Sequence, residues 1–468
     1  MDGLKVTWEE SAIDLLRSLI HYNTVNNPSE NQFPDLSIIT DIQKILLRWN
    51  PEYKSKVFET GNYSSLYISS DLTKPSDIVF LGHFDVVPVT TDWNSNPFDL
   101  TIRDEKLGFA RGSKDCKGSV VSVLMFLKKI NLNPKTKSVV NRIGLFLSTD
   151  EESGGQYGAK EFFSYAKKSN ILPKRVINVD GGPKVVYKRR AGFNLRLTAP
   201  PLVKKTTASV KEKVFSTRIL YDNNRHSAYF VPGVDSHALL LLSKYLHIKP
   251  HVKINAISGE WVKGNVIPNT VHATVVDPQT ESDLTQQVTY DENLTKILRI
   301  LRSLALSKVK TEKSSEFGIT MNPNILSYST SDGTSVQFDI RAFLSPNEKG
   351  RIVEAVTSRL GSFEQGKLEC RGSSGYFYTD PSNPLVTIAT EVMKAYRLMD
   401  DDELPKEQEG ASDARYATMF GVPAIDIGPK GGNIHGVDEY IDLESMLQFS
   451  TIYEDISLKL LDEVQTEQ

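Results

Sequence analysis

Three apolar runs constrain this chain more than any other feature: Ile78-Val79-Phe80-Leu81, Ile143-Gly144-Leu145-Phe146-Leu147 and Val176-Ile177-Asn178-Val179. None shows the apolar/polar alternation of a strand with one wet face. Each therefore reads as a parallel strand covered on both faces. Helical spacing in Lys117 to Ile130 and Gly158 to Ser169 completes a βαβαβ order. Each run leads at once into hard metal ligands: Gly82-His83-Phe84-Asp85, Ser148-Thr149-Asp150-Glu151-Glu152, and Asp180. Ligands collect beyond the carboxyl ends of strands in open parallel sheets. The layout predicts a metallohydrolase site there.

A chain of 468 residues is too long for one ordinary core and predicts two domains. The formal net charge is −3, with both signs interspersed, so there is no basic stripe for nucleic acid and no polybasic arm for a membrane. The polar stretch Met1 to Trp8 leads into a helix ending near Ile20, without the apolar core of a signal peptide. A soluble, cytoplasmic protein is expected. Cys116 and Cys370 are far apart and make no metal knuckle or disulfide framework.

The α/β pattern gives way near Ala191 to alternating strands. They are expected at Ala191 to Leu197, Val214 to Tyr221, His251 to Ile257, Val266 to Val276, Ile325 to Tyr328 and Val336 to Phe343. Helices are expected near Val234 to Leu246, Asn293 to Leu306 and Lys349 to Leu360. This is an α+β insert. The α/β pattern resumes with a helix from Pro384 to Tyr396, a strand at Val422 to Ile427 and a closing helix from Leu443 to Leu461. Asp400 to Glu409 reads as a solvated acidic loop. The expected architecture is an α/β domain, 1–190 and 374–468, with a mostly parallel sheet and helices on both faces, interrupted by an α+β domain at 191–373.

Residues two apart in a strand share a face, so His83 can ligate a metal while Asp85 accepts a hydrogen bond from its other ring nitrogen. Asp115 stands just before a helix, where a simple cap is the plainer explanation. Glu151 and Glu152 are adjacent carboxylates that repel unless a cation or proton separates them, and Gly154-Gly155 would let the chain turn so that both face the crevice. His435 lies in the glycine-rich loop Gly431 to Gly436. Taken singly, each fits ordinary loop or surface chemistry. Together His83, Asp115, Glu152, Asp180 and His435 suffice for two divalent ions, one carboxylate bridging. Three negative charges against four positive leave room for a hydroxide. Nitrogen and oxygen ligation without thiolate suits zinc, with cobalt or manganese as substitutes. Glu151, left off the metals, is the expected general base.

The run His83-Phe84-Asp85-Val86-Val87-Pro88, the segment Arg111 to Gly118, the Asp150-Glu151-Glu152 triplet, Asp180 and Ile434-His435-Gly436 occur in the order and spacing of a known family. The chain resembles the co-catalytic zinc family of acetylornithine deacetylase, succinyl-diaminopimelate desuccinylase, aminoacylase, glutamate carboxypeptidase and bacterial dipeptidases. The resemblance implies that Asp115 bridges the ions, with His83 and Asp180 on one and Glu152 and His435 on the other, and that the Asp115-Cys116 peptide is cis. It further implies that the insert is a lid. Arg225-His226-Ser227-Ala228 would supply the oxyanion-stabilising His226. Gly264-Asn265-Val266-Ile267-Pro268 and Phe338-Asp339-Ile340-Arg341 would supply Asn265 and Arg341 for the substrate carboxylate. Ser412-Asp413-Ala414-Arg415 would supply a substrate-side Arg415.

The stretch between Asn265 and Arg341 is longer than the minimal family pattern and is similar to the enlarged lid of monomeric dipeptidases, so monomer and homodimer both stay open. Ser412 to Arg415 is more similar to the deacylases. The reading carried forward is a hydrolase cleaving an amide bond near a free carboxylate, acting on a dipeptide or short peptide; the alternative substrate is an N-acyl amino acid. A two-metal phosphoesterase ranks lower, because it needs a cationic clamp near the metals. A metal-dependent binding protein would have no use for Glu151.

Overall fold

A computed structural model describes residues 8–89, 93–133, 136–220, 227, 230–279, 286–311, 318–361, 366–372, 375–408 and 410–466. The chain divides into two compact units: Met1–Arg189 with Phe377–Gln408 and Ser412–Gln468, and Arg190–Tyr376 with Glu409–Ala411.

The first unit is built on a nine-stranded sheet. Its centre is four parallel strands in the order Ile143–Ser148, Ile78–His83, Val176–Asn178, Ala424–Asp426. The apolar runs thus pair as parallel strands. Alternate residues feed opposite cores: Ile78 and Phe80 join the helices Gly118–Leu132 and Leu443–Thr466 in one cluster, while Val79 and Leu81 join Phe162 and Phe163 of Ala159–Lys168 in another. Two dry faces explain why the runs do not alternate. Truncating a side chain such as Phe162, which is 1% exposed, to Ala would cost about 3–5 kcal/mol. Gly82 marks how closely helix and strand approach, since a Cβ there would lie 2.9 Å from Val120 Cγ2.

The flanks of the sheet are antiparallel. Lys54–Thr60 and Tyr63–Ser69 form a hairpin beside Ile143–Ser148, and Val186–Arg189 runs antiparallel to both Ala424–Asp426 and Phe377–Tyr378. The supposed acidic loop contains a short strand, Lys406–Gln408, parallel to Val186–Arg189. Its side chains are polar because Glu407 pairs with Lys188, Nζ to Oε2 3.1 Å, so no apolar pattern marks it.

The register places the site. Ile78 pairs with Ile143 and His83 with Ser148, so these two strands end level and the Asp150-Glu151-Glu152 exit emerges beside His83. The chain leaves Ile78–His83 for Ile143–Ser148 on one side and then Val176–Asn178 on the other. That reversal is a topological switch point, where a crevice opens at the carboxyl ends.

The second unit holds two four-stranded antiparallel sheets, Lys253–Gly259, Thr270–Asp277, Val203–Ser216, Gln286–Asp291 and Thr320–Ser329, Gly333–Ala342, Ala191–Ala199, Lys367–Gly372, each in spatial order. Helices Ala238–Ile248, Glu292–Ala305 and Lys349–Leu360 bury Leu239, Leu242, Leu298, Leu301, Ile352 and Val356 in its core. The strand expected at Val214 to Tyr221 is instead Val203–Ser216, and Tyr221 lies outside the described residues. Only Ala208 and Ser209 of its residues are buried, so the segment carries no apolar signature.

Candidate active site

His83 ends its strand fully buried, at 1% exposure. Its Nε2 lies 3.0 Å from Asp115 Oδ1 and 3.9 Å from Asp180 Oδ1, yet makes no hydrogen bond. The other oxygen of Asp115, Oδ2, lies 3.0 Å from His435 Nε2, which is also 3.0 Å from Glu152 Oε1. The five sequence-predicted ligands therefore converge from five separate chain segments. Asp115 stands between the two imidazoles, one oxygen toward each. The groups fall into two sets, His83 with Cys116 and Asp180, and Asp115 with Glu152 and His435.

Local structure explains each placement. Asp115 lies in a distorted helical turn, Ser113–Lys117, and the Asp115–Cys116 peptide is cis. Glu151 and Glu152 occupy a single 3₁₀ turn, Glu151–Ser153, followed by Gly154 at φ 106° and Gly155 at φ 63°. A side chain at Gly155 would be strained by that φ and would put its Cβ 2.2 Å from Asp413 Oδ1. His435 itself adopts φ 62°, a left-handed conformation uncommon for a non-glycine residue.

The electrostatics call for cations. Burial, reinforced by Asp413, pushes the Glu151 carboxyl well above its ordinary range. Burial also raises Glu152, although His435 opposes it. Burial, with Asp413 and Asp85, pushes Asp150 up to about 8. Around a zinc ion with bonds of about 2.0–2.1 Å, tetrahedral ligands stand about 3.3 Å apart. The 3.0 Å separations among His83, Asp115, Glu152 and His435 are close to that spacing. With a buried orphan imidazole nitrogen and mutually repelling carboxylates, the donor set fits two divalent ions.

Asp85 behaves differently from expectation. His83 Nδ1 lies 3.0 Å from the backbone carbonyl of Asp85 and 3.5 Å from its carboxylate, so the carbonyl orients the ring. The carboxylate instead accepts the N–H groups of Glu151 at 3.1 Å and Glu152 at 3.0 Å, and Asn26 Nδ2 at 2.7 Å. The free amides at the start of a turn attract an anion more strongly than a neutral imidazole does.

Arg415, expected beside the substrate, is 3% exposed and turned inward. Its Nη2 donates to Gly154 O at 2.9 Å and lies 3.3 Å from Asp413 Oδ1; Tyr416 Oη donates to the same carbonyl at 2.7 Å. It therefore braces the turn that carries Glu151. Asn265 and Arg341 belong to the second unit. Asn265 O accepts from Ser227 N at 2.8 Å, and Arg341 Nε donates to Asp339 Oδ2 at 3.0 Å. His226 lies outside the described residues.

Sequence reasoning missed Asn26 and Glu439. Asn26 sits in a polar stretch without periodicity. Glu439 follows His435 by four residues, and its proximity to a ligand was the only available signal.

A model of peptidase family M20/M25/M40 matches residues 79–459 of this chain. A succinyl-diaminopimelate desuccinylase from Helicobacter pylori (strain G27) is 23% identical over 399 residues, covering 82% of this chain and 81% of that protein. Two solved structures share the fold. An aminoacylhistidine dipeptidase from Vibrio alginolyticus aligns with a TM-score of 0.64 at 12% identity, over 98% of each chain. An M20 family metallo-carboxypeptidase from Sulfolobus solfataricus aligns at 0.59 and 15%, over 95% of this chain and 98% of that one. The chain belongs to peptidase family M20/M25/M40 and is a metal-dependent hydrolase of amide bonds, a peptidase or deacylase acting on small substrates. Among the described residues, no helix is long and apolar enough to cross a membrane.

Proposed function

We propose that this hydrolase cleaves dipeptides or short peptides next to a free carboxylate, with Glu151 as general base. The observation that carries the reading is Asp115, whose two carboxylate oxygens each stand 3.0 Å from a different imidazole. His83 and Asp180 would hold one divalent ion and Glu152 and His435 the other, with Asp115 shared. Zinc suits the donors best, and cobalt or manganese would substitute. Two such ions supply an acidified water and a polarised carbonyl oxygen when bound.

The chain's own residues do the rest. Glu151, part-buried and free of a ligating role, takes the proton from the attacking water and returns it to the leaving nitrogen. Asp85 holds Glu151 and Glu152 by their amides, and Arg415 with Tyr416 braces Gly154 just beyond them. Asn265 and Arg341, the latter oriented by Asp339, would receive the substrate carboxylate. His226 would stabilise the oxyanion, and His226→Ala should then lower kcat far more than it raises KM.

The alternative substrate, an N-acyl amino acid, is favoured by the likeness to desuccinylases. One assay separates the two. The metal-loaded enzyme is incubated with a panel of dipeptides and N-acyl or N-succinyl amino acids, and release of free amine is followed. Faster cleavage of dipeptides is expected. Faster cleavage of the N-acyl compounds establishes the alternative, and cleavage of neither class overturns both.

A further inference from the structure

Glu439 is fully buried, four residues after His435, and collects donors from one short segment. Oε2 accepts Arg111 Nη1 at 2.6 Å and Gly112 N at 3.2 Å, while Oε1 accepts Lys114 N at 2.9 Å and Asp115 N at 3.0 Å. Its backbone carbonyl accepts Ala110 N at 3.1 Å and Ser113 Oγ at 3.4 Å. The amide of Asp115 is thus held directly.

The same pair reaches back toward His435. Arg111 Nη2 donates to the carbonyl of Gly436 at 3.1 Å and to that of Pro88 at 3.4 Å. The loop carrying His435 has left-handed backbone at Asn433, His435 and Asp438, and the carbonyl of Asp438 accepts Asn433 Nδ2. Such a loop needs an anchor, because sparsely populated conformations persist only where their surroundings hold them. A buried ion pair is a poor source of net stability, but its geometry is specific. Here that geometry ties together two ligand-bearing loops more than 300 residues apart in the chain.

We infer that Glu439 is a positioning residue that sets Asp115 against His435, and so governs the ion affinity of the set Asp115, Glu152 and His435. The inference rests on the di-metal reading above. Outer residues that orient ligands change metal affinity roughly ten- to hundredfold when altered. Glu439 acts one step further out, through a backbone amide, and its carboxylate meets four donors at once.

The test measures stepwise ion affinity. Metal-free wild type, Glu439→Gln and Glu439→Asp are titrated with Zn²⁺ against a chromophoric chelator, and with Co²⁺ by its visible absorption. In Glu439→Gln the binding step of the Asp115, Glu152 and His435 set should weaken roughly ten- to hundredfold, and the step of the ion held by His83 and Asp180, which shares Asp115, should weaken less. Glu439→Asp, which keeps the charge, should recover part of the loss. A merely structural role would lower the melting temperature and leave both steps in place, and that result overturns the inference. If Glu439→Gln does not fold, Arg111→Met with Glu439→Gln removes both charges of the pair and is judged by the same two steps. A wild type that binds no pair of ions would overturn the di-metal reading itself. Two intact steps in a folded variant beside a normal wild type would sink only the role of Glu439.

Discussion

The carboxylate of Asp85 accepts the backbone N–H of Glu152 at 3.0 Å, and its other oxygen accepts that of Glu151 at 3.1 Å. One acidic side chain at the end of the Ile78–His83 strand thus holds the turn on which the proposed base and a proposed ligand sit, while its own backbone carbonyl orients His83. Three parts of the site are registered to one residue.

Asp85→Asn tests this. An amide offers one oxygen where the carboxylate offers two, so at least one of those N–H groups would face an NH₂. The variant should lose about 1–3 kcal/mol of stability by urea unfolding, and its ion affinity should fall with it. Normal ion affinity in the folded variant would show that the turn keeps its shape unaided.

Glu151→Gln separates the base from the ligand. Turnover should fall roughly 10²- to 10⁴-fold while elemental analysis finds the metal content unchanged. Because burial and Asp413 both disfavour the charged form of Glu151, the variant should be at least as stable as wild type to urea in the metal-free state. Loss of metal with normal activity per bound ion would exchange the roles of Glu151 and Glu152.

Metal removal should destabilise the first unit. Ions that bind only the folded chain stabilise it by about 2.7 kcal/mol at a hundredfold excess over Kd. Dialysis against a chelator should therefore lower the melting temperature and abolish activity, and Zn²⁺ should restore both. A melting temperature indifferent to the ion would contradict the clustering of His83, Asp115, Glu152, Asp180 and His435 as ligands.

Gly155→Ala places a Cβ at φ 63° and 2.2 Å from Asp413 Oδ1. The left-handed backbone alone costs about 1–2 kcal/mol. Relief of the clash would shift the Glu151–Ser153 turn, so kcat should drop by more than the change in urea midpoint accounts for. A fully active variant would show that the turn tolerates displacement.

Acid sensitivity is expected in the second unit from His237, which caps the helix Ala238–Ile248. Its Nδ1 accepts Leu239 N at 3.2 Å and its Nε2 lies 3.3 Å from Asn324 Oδ1, so the ring is neutral with its proton on Nε2. Burial pulls its pKa down to about 4 from 6.5. Between those values the unfolded chain binds the extra proton, so stability falls as pH drops below about 6.5 and levels off near 4. From pH 7 to pH 5 the loss is about 2 kcal/mol. His237→Asn keeps a capping acceptor and should remove most of this pH dependence, read as urea midpoints at the two pH values.

The amino-acid sequence by itself determined the parallel core and the places where the candidate metal-binding residues leave it. Runs such as Phe80-Leu81 and Phe146-Leu147 are stable only with both faces dry, and the candidate ligands His83 and Glu152 follow them closely in the chain, so strand direction carries both to the same edge. Three things were decided only by tertiary structure: that Asp85 caps a turn, that Arg415 faces inward, and that Val203–Ser216 is a strand. Local patterns report burial, and these features depend instead on hydrogen bonds between distant segments. Asp85 and Glu152 are 67 residues apart, Arg415 and Gly154 are 261, and Arg111 and Glu439 are 328. No periodicity encodes such pairs, because a buried polar group takes whichever partner the packed backbone brings within reach.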